Sequence, residues 1–329
     1  MPLFCNGFNL FRQLNVNKPI LEEFVKVFEF EVIKQVWINY SYILISTDTD
    51  YLIFHKEGVC NLTSLIPKQT VLITTNDDQV ICLNRSGKLF KICLADNFSN
   101  IQELCSLDYV ESSNNSFLNI RSSSKLIVTH LADGTVYNVL EKLKFTCNSV
   151  IDIQCGKEHC LLLDETGNLY SFGKGSHGQL GHGKLDDEIE PKLVEALAGI
   201  KIKKIAAGNW HSCAISQDGD LYVWGWNSNG QLGLGIEEDD KKFVSVMASP
   251  HVVDFDDEEL NAVLVACGSR HTIVFFDNKQ LYGCGWNKYH QLTKFAQENY
   301  YKLTYLHDFK NMDVIHLQCG PWNSAVRCK

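Results

Sequence analysis

One unit recurs along this chain at a period that leaves few folds open. It reads CGKEHCLLLDETGNLYSFGKGSHGQLGHG from Cys155, AGNWHSCAISQDGDLYVWGWNSNGQLGLG from Ala207 and CGSRHTIVFFDNKQLYGCGWNKYHQLTKF from Cys267. Gly156, Gly208 and Gly268 are separated by 52 and 60 residues. His159, His211 and His271 keep the same offsets, as do Tyr170, Tyr222, Tyr282 and Gln179, Gln231, Gln291. Within each unit an apolar run ends in glycine, a β stretch follows the histidine, and a tight turn leads into another strand. Asp218-Gly219 between two apolar-rich runs predicts a two-residue hairpin with both central residues at positive φ. Thr166-Gly167, Ser86-Gly87, Asp133-Gly134 and Asn278-Lys279 hold the same slot. A period near 50 residues with several strands per unit predicts a β-propeller rather than a helical solenoid.

Weaker copies follow the hairpin rhythm without the glycine and histidine bookends: residues 41–55, 79–92 and 126–139. With the three strong units these make six. A seventh is divided between the chain ends. Cys319-Gly320-Pro321-Trp322-Asn323 matches the front of a unit, with Asn323 in the histidine slot. Leu3-Phe4-Cys5-Asn6-Gly7-Phe8-Asn9 matches Leu221 to Asn227, and Gln13 falls where Gln231 falls. The expectation is an all-β, seven-bladed propeller closed by N- and C-terminal strands sharing one blade. It would be a single domain over 1–329, with strong repeats at 150–329, degenerate ones at 30–149, and residues 1–14 completing the last blade.

Composition narrows the function classes. The chain has 329 residues, 30 basic against 39 acidic, for a net charge of −9. That balance argues against sequence-independent duplex binding, which depends on neutralising phosphates. The 45% hydrophobic and 21% charged fractions are those of a globular chain. Thirteen scattered cysteines without CxxC spacing, and no leader-like pattern at the N-terminus, point to free thiols in a reducing compartment.

The pattern Gly-x-x-His…Asp-Gly-x-Leu-Tyr-x-Trp-Gly…Gly-Gln-Leu-Gly resembles the regulator of chromosome condensation repeat. The segments at 177–183, 190–197, 207–212, 222–232, 267–272 and 319–323 are similar to one small branch of that family. What the resemblance implies is a non-catalytic scaffold that binds a JmjC-domain lysine demethylase, lysine demethylase 8, also described as an arginyl hydroxylase. It further implies a nucleus and chromosome setting, a part in histone H3 lysine-36 methylation at centromeric chromatin, and roles in spindle organisation and chromosome segregation. Histone H3 is a second partner so implied. The family's founding member exchanges guanine nucleotide on the GTPase Ran, which is the alternative function; no exchange wedge is recognisable here. An enzyme using the central channel ranks last, because no convergent acid and base residues can be assigned.

Individual residues sort by whether the repeat dictates them. His159, His211 and His271, one per blade, spread round a ring rather than converging on one tetrahedron, so they read as structural, each with a ring nitrogen bonded to nearby backbone. Gly156, Gly208, Gly268 and Gly320 read as structural with them, and no metal or cofactor is expected. Cys155, Cys267 and Cys319 share one slot with Ala207 and read as small buried apolar residues. The glycine run at 173–183 lacks the GxxxxGK[ST] order of a phosphate cradle. Between glycine and histidine the repeat dictates little, yet Trp210, Trp322 and Arg270 stand there, types favoured at binding hot spots, with Lys157 in the same slot. Trp210, Arg270, Trp322 and Lys157 are therefore candidate partner-binding residues; Trp226 and Trp286 join them, with packing between blades as an equal reading. Glu237 to Asp240, with Asp254, Asp256, Asp257, Glu258 and Glu259, reads as a solvated loop or a dock for a basic partner. Residues 112–124 read as an exposed loop without a role.

Overall fold

A computed structural model describes residues 1–14, 16–107, 116–147, 149–235, 244–255, 260–294 and 297–329. Seven four-stranded antiparallel sheets stand round an axis. Blade one spans 35–61, blade two 70–106, blade three 117–146, blade four 150–193, blade five 202–252 and blade six 262–308. Blade seven takes its two inner strands, Val314–Cys319 and Asn323–Cys328, from the C-terminus and its outer two, Pro2–Phe8 and Ile20–Glu29, from the N-terminus. The N-terminal share thus runs to Glu29, past residue 14. Leu3 pairs with Arg327, Cys5 with Ala325 and Gly7 with Asn323, so the expected alignment of the two ends holds residue for residue.

Blade five shows why these residues make these strands. Its second strand, His211–Ser216, is buried throughout, because blades flank it on both faces. Such a strand reads as a continuous apolar run rather than an alternation. The outer strand, Val246–Val252, meets water and is only partly covered. The core lies between blades: Cys213, Ile215 and Val223 of blade five pack on Val274 and Phe276 of blade six.

The hairpin turn differs from the expected one. Only its glycine has positive φ, +99° at Gly219; Gly219 N–H donates to Ser216 at 3.1 Å and Ser216 N–H to Asp220 at 2.9 Å. This is a three-residue loop, a type I turn ending in a left-handed residue, which asks positive φ of one position instead of two. Residues 117–122, read as part of a loop, form the inner strand of blade three. Their Ser and Asn content misleads because the inner face of that strand is wet.

Neighbouring blades are tied by a repeated relay. The His159 Nε2 meets Ser212 Oγ at 2.9 Å, His211 meets Thr272 at 3.0 Å and His271 meets Ser324 at 3.1 Å, each partner on the next blade. Each hydroxyl spends its proton on the carbonyl of Gln179, Gln231 or Gln291, at 2.9, 2.7 and 2.7 Å. It can then only accept from histidine, which makes Nε2 the protonated nitrogen. The expected backbone partner is thus one hydroxyl removed. The ring also explains the glycine: a Cβ at Gly208 would stand 2.1 Å from His211 Cε1.

Burial holds the His159, His211 and His271 pKa values down at about 3. Unfolded histidine binds a proton near pH 6.5, so the unfolded chain takes up more protons between these values and stability falls as pH drops below about 6.5. His211→Asn, which copies the Asn323 slot, is expected to remove one of three such protons. Urea unfolding from pH 7 to 4 then shows a slope shallower by up to about 1.4 kcal/mol per pH unit; an unchanged slope would mean His211 is already charged when folded.

Candidate functional site

The inner strands stop at one rim of the ring, and the residues between glycine and histidine ride on that rim as loops. Backbone bonds lock the loops in place: Lys157 N–H donates to Asn209 at 3.2 Å and Ser269 N–H to Pro321 at 3.2 Å, blade to blade. The third strand of each blade delivers its aromatic to the same rim, since Trp226 N–H donates to Trp210 and Trp286 N–H to Arg270, both at 2.8 Å. Phe8 N–H donates to Trp322 at 3.0 Å in the same way.

All six candidate partner residues therefore come together. Lys157 Nζ lies over the Trp210 ring at 4.9 Å. Trp210 meets Trp226 edge-on at 5.2 Å. The Arg270 guanidinium lies 5.0 Å from the Trp226 ring centre and 5.7 Å from that of Trp286. Trp286 meets Trp322 at 6.1 Å. The four indoles are half-buried, with edges at the surface. Trp226 and Trp286 both pack on the rim and both remain half-exposed.

Four further aromatics complete the crescent. His177 packs on Trp210 and Trp226 at 5.7 and 6.0 Å. Tyr289 stacks on Trp322 at 4.9 Å, Tyr40 meets that ring at 4.7 Å, and Phe11 meets Tyr40 at 5.3 Å. His177, Tyr289 and Phe11 each stand two residues before the repeat glutamine, at Gln179, Gln291 and Gln13. The His177 and Tyr289 amides donate to that glutamine's Oε1 at 2.8 and 3.0 Å, which aims the side chain at the rim. An aromatic recurring in that slot was a readable signal.

The other candidates stand apart. Asp254 is exposed; Glu237 to Asp240 and Asp256 to Glu259 lie outside the described residues. Cys155, Cys267 and Cys319 are half-buried on the channel wall rather than fully buried. Burial pushes the Cys319 thiol up to about 12, which keeps it protonated. His211, Cys213 and Cys267 bring their ligand atoms within 4.8 Å of one another. The His211 Nδ1 has no bonded partner among the described residues, and the same is true of His159 and His271, so the free nitrogen is a feature of the repeat.

Regulator of chromosome condensation (RCC1) repeat models match residues 166–215 and 218–275, and a second such model matches 150–179, 202–231 and 262–291. RCC1 domain-containing protein 1 of Mus musculus is 37% identical over 208 residues, 54% of this chain and 55% of that protein. The Homo sapiens protein of the same name is 38% identical over 53% and 55%. The match spans about half the length of these relatives. Among solved structures, Prp20p of Saccharomyces cerevisiae superposes over 99% of this chain and 91% of its own, with TM-score 0.76 and 16% identity.

Arg270→Ala uncovers two indoles. It is expected to lower stability by roughly 1–2 kcal/mol, about that of two partly exposed cation–π contacts, and to change the near-ultraviolet circular dichroism of the coupled rings. Arg270→Lys should retain part of both; an Arg270→Ala spectrum identical to wild type would show that the guanidinium does not order the crescent.

Proposed function

The chain is a propeller built on regulator of chromosome condensation repeats, and from that premise we propose that it serves as a scaffold whose rim crescent docks a JmjC-domain lysine demethylase, lysine demethylase 8. One observation carries the reading: Lys157, Trp210, Arg270 and Trp322, residues the repeat does not dictate, form one contiguous surface with Trp226 and Trp286. Tryptophan and arginine on a rigid base are the residue types that dominate binding energy when water is excluded around them. Similarity to the mouse and human proteins named RCC1 domain-containing protein 1 supports placing the chain in that branch. In this role the propeller contributes shape and the partner contributes iron and 2-oxoglutarate chemistry. Action at centromeric chromatin in the nucleus, on histone H3 lysine-36 methylation, chromosome segregation and the spindle, belongs to the same proposal.

A second reading has one observation in its favour. Prp20p, which shares the fold across nearly the whole chain, was described together with its binding to Gsp1p and histones. Exchange on a small GTPase such as Ran would follow that pattern, and a nucleotide-release assay on purified Ran separates the two.

Trp210→Ala combined with Arg270→Ala is expected to abolish capture of the demethylase while leaving far-ultraviolet circular dichroism unchanged. Loss of two hot-spot residues corresponds to about 4 kcal/mol or more, near a thousandfold in affinity. Undiminished capture by the folded double variant would remove the crescent from consideration.

A further inference from the structure

The channel along the propeller axis has a charge opposite to that of the chain. Its volume is about 820 Å³, and its walls carry six basic side chains, Lys34, Arg121, Lys157, Lys204, Arg270 and Arg327, against two carboxylates, Asp77 and Asp152. The whole chain has net charge −9. Only Lys34 of the six is ion-paired among the described residues, to Asp48 at 3.1 Å. Asp152 is already engaged, accepting from the Ile153 amide at 2.8 Å and from Gln154 at 3.3 Å. Asp152 also feels Arg121 and Lys204, and Asp77 feels Lys157, so the two carboxylates offset part of the charge; the cations remaining in excess have their field focused along the bore by the low-dielectric wall.

The strand register shows how the cations are arranged. Asn119, Asp152, Lys204, Leu264 and His316 hold equivalent positions on five inner strands, forming one layer of the bore. Arg121 stands two residues nearer the crescent, and Lys157 and Arg270 stand on the rim itself. Arg327 pairs with His316 and so stands level with that layer, its Nη1 donating to the Ile33 and Lys34 carbonyls at 3.2 and 2.7 Å, with Nε buried and unpaired. From Lys204 to the strand's end at Ala207 is three residues, roughly 10 Å, and the loop carrying Trp210 follows directly.

We infer that the channel receives an extended acidic polypeptide segment, entering at the crescent and running down past Arg121 and Lys204. The shape of the charge distribution selects this ligand. Cations strung at successive heights match a linear anion, whereas a compact phosphate needs them converging on one point. A nucleic acid strand is linear too, but it binds by stacking bases on open ring faces. Here Lys157, Arg270 and Tyr289 already cover faces of Trp210, Trp226, Trp286 and Trp322. This inference deepens the docking proposal by naming the chemistry of the partner segment that enters the bore, and it is tested without that partner.

The experiment measures anisotropy of a fluorescein-labelled ten-glutamate peptide with the full chain at 50 and 200 mM salt. Oligothymidylate of ten nucleotides and inorganic tripolyphosphate serve as competitors. Saturable binding that weakens with salt is expected, along with a loss of tenfold or more in Lys204→Glu. Lys204 is exposed with no bonded partner, so that variant should fold; circular dichroism checks it, and Lys204→Ala, with a smaller loss, replaces it if it does not. No peptide binding to wild type, equal binding to the folded Lys204 variant, or displacement at lower concentration by either competitor overturns the inference. A positive result stands even if the Trp210 and Arg270 double variant still captures the demethylase, so the two failures are distinguishable.

Discussion

Everything in this molecule hangs on the pairing of Pro2–Phe8 with Asn323–Cys328. The partner strand Asn323–Cys328 is buried along almost its whole length. Were the N-terminal strands absent, its backbone donors and acceptors would face water or another chain along an edge built to be covered. With them present, blade seven becomes equivalent to its neighbours down to detail. Gly7 has φ of +100° where Gly225 and Gly285 have +102°, and a Cβ on any of them would strike the backbone of the preceding strand. The closing blade also supplies Phe8 and Phe11 to the rim, so the Trp322 end of the crescent is complete only in the closed ring.

The histidine relay has a direction, and its direction explains where the repeat decays. Each histidine needs a hydroxyl on the following blade and a glutamine carbonyl behind it. The run passes from blade four to seven and stops there, because Ile43 holds the hydroxyl position on blade one. Asn323, in the histidine slot facing Ile43, reaches instead back to the Phe8 carbonyl at 3.4 Å. On blade one Tyr42 takes the slot and reaches the Asn76 carbonyl of blade two at 2.7 Å. Blades one to three are thus tied by different chemistry to the same end. That is why their sequences keep the hairpin rhythm, which the sheet demands, and lose the bookends, which only the relay demands.

The same distinction decides how much was legible beforehand. Seven blades and the shared closing sheet were readable, since fixed offsets of Gly, His, Tyr and Gln reflect contacts repeated in every unit. The rim candidates were readable by subtraction, as Trp210, Arg270 and Trp322 stand where the repeat asks for nothing. Three things escaped. The hairpin's turn type depends on how many residues the loop encloses, which Asp-Gly alone does not state. The partner of each histidine lies 53 or 61 residues on, in the next blade, beyond any local pattern. Tyr40 joins the crescent from a degenerate unit whose slot could be assigned only once the strands were paired.

Charge gives the ring two sides with different tasks. A net-acidic exterior keeps the body soluble and discourages contact with other acidic surfaces. At the rim the cations are instead held against indole faces, Arg270 between Trp226 and Trp286 and Lys157 over Trp210. A guanidinium sandwiched in this way is partly stripped of water and restricted in rotamer before any partner arrives, so less entropy is lost on docking than for a free arginine. The indoles in turn cannot collapse into the bore, because the cations and the inter-blade backbone bonds hold them apart. Rigidity of the ring is therefore converted into a preset arrangement of aromatic edges and positive charge, which a chain of independent loops with the same composition could not maintain.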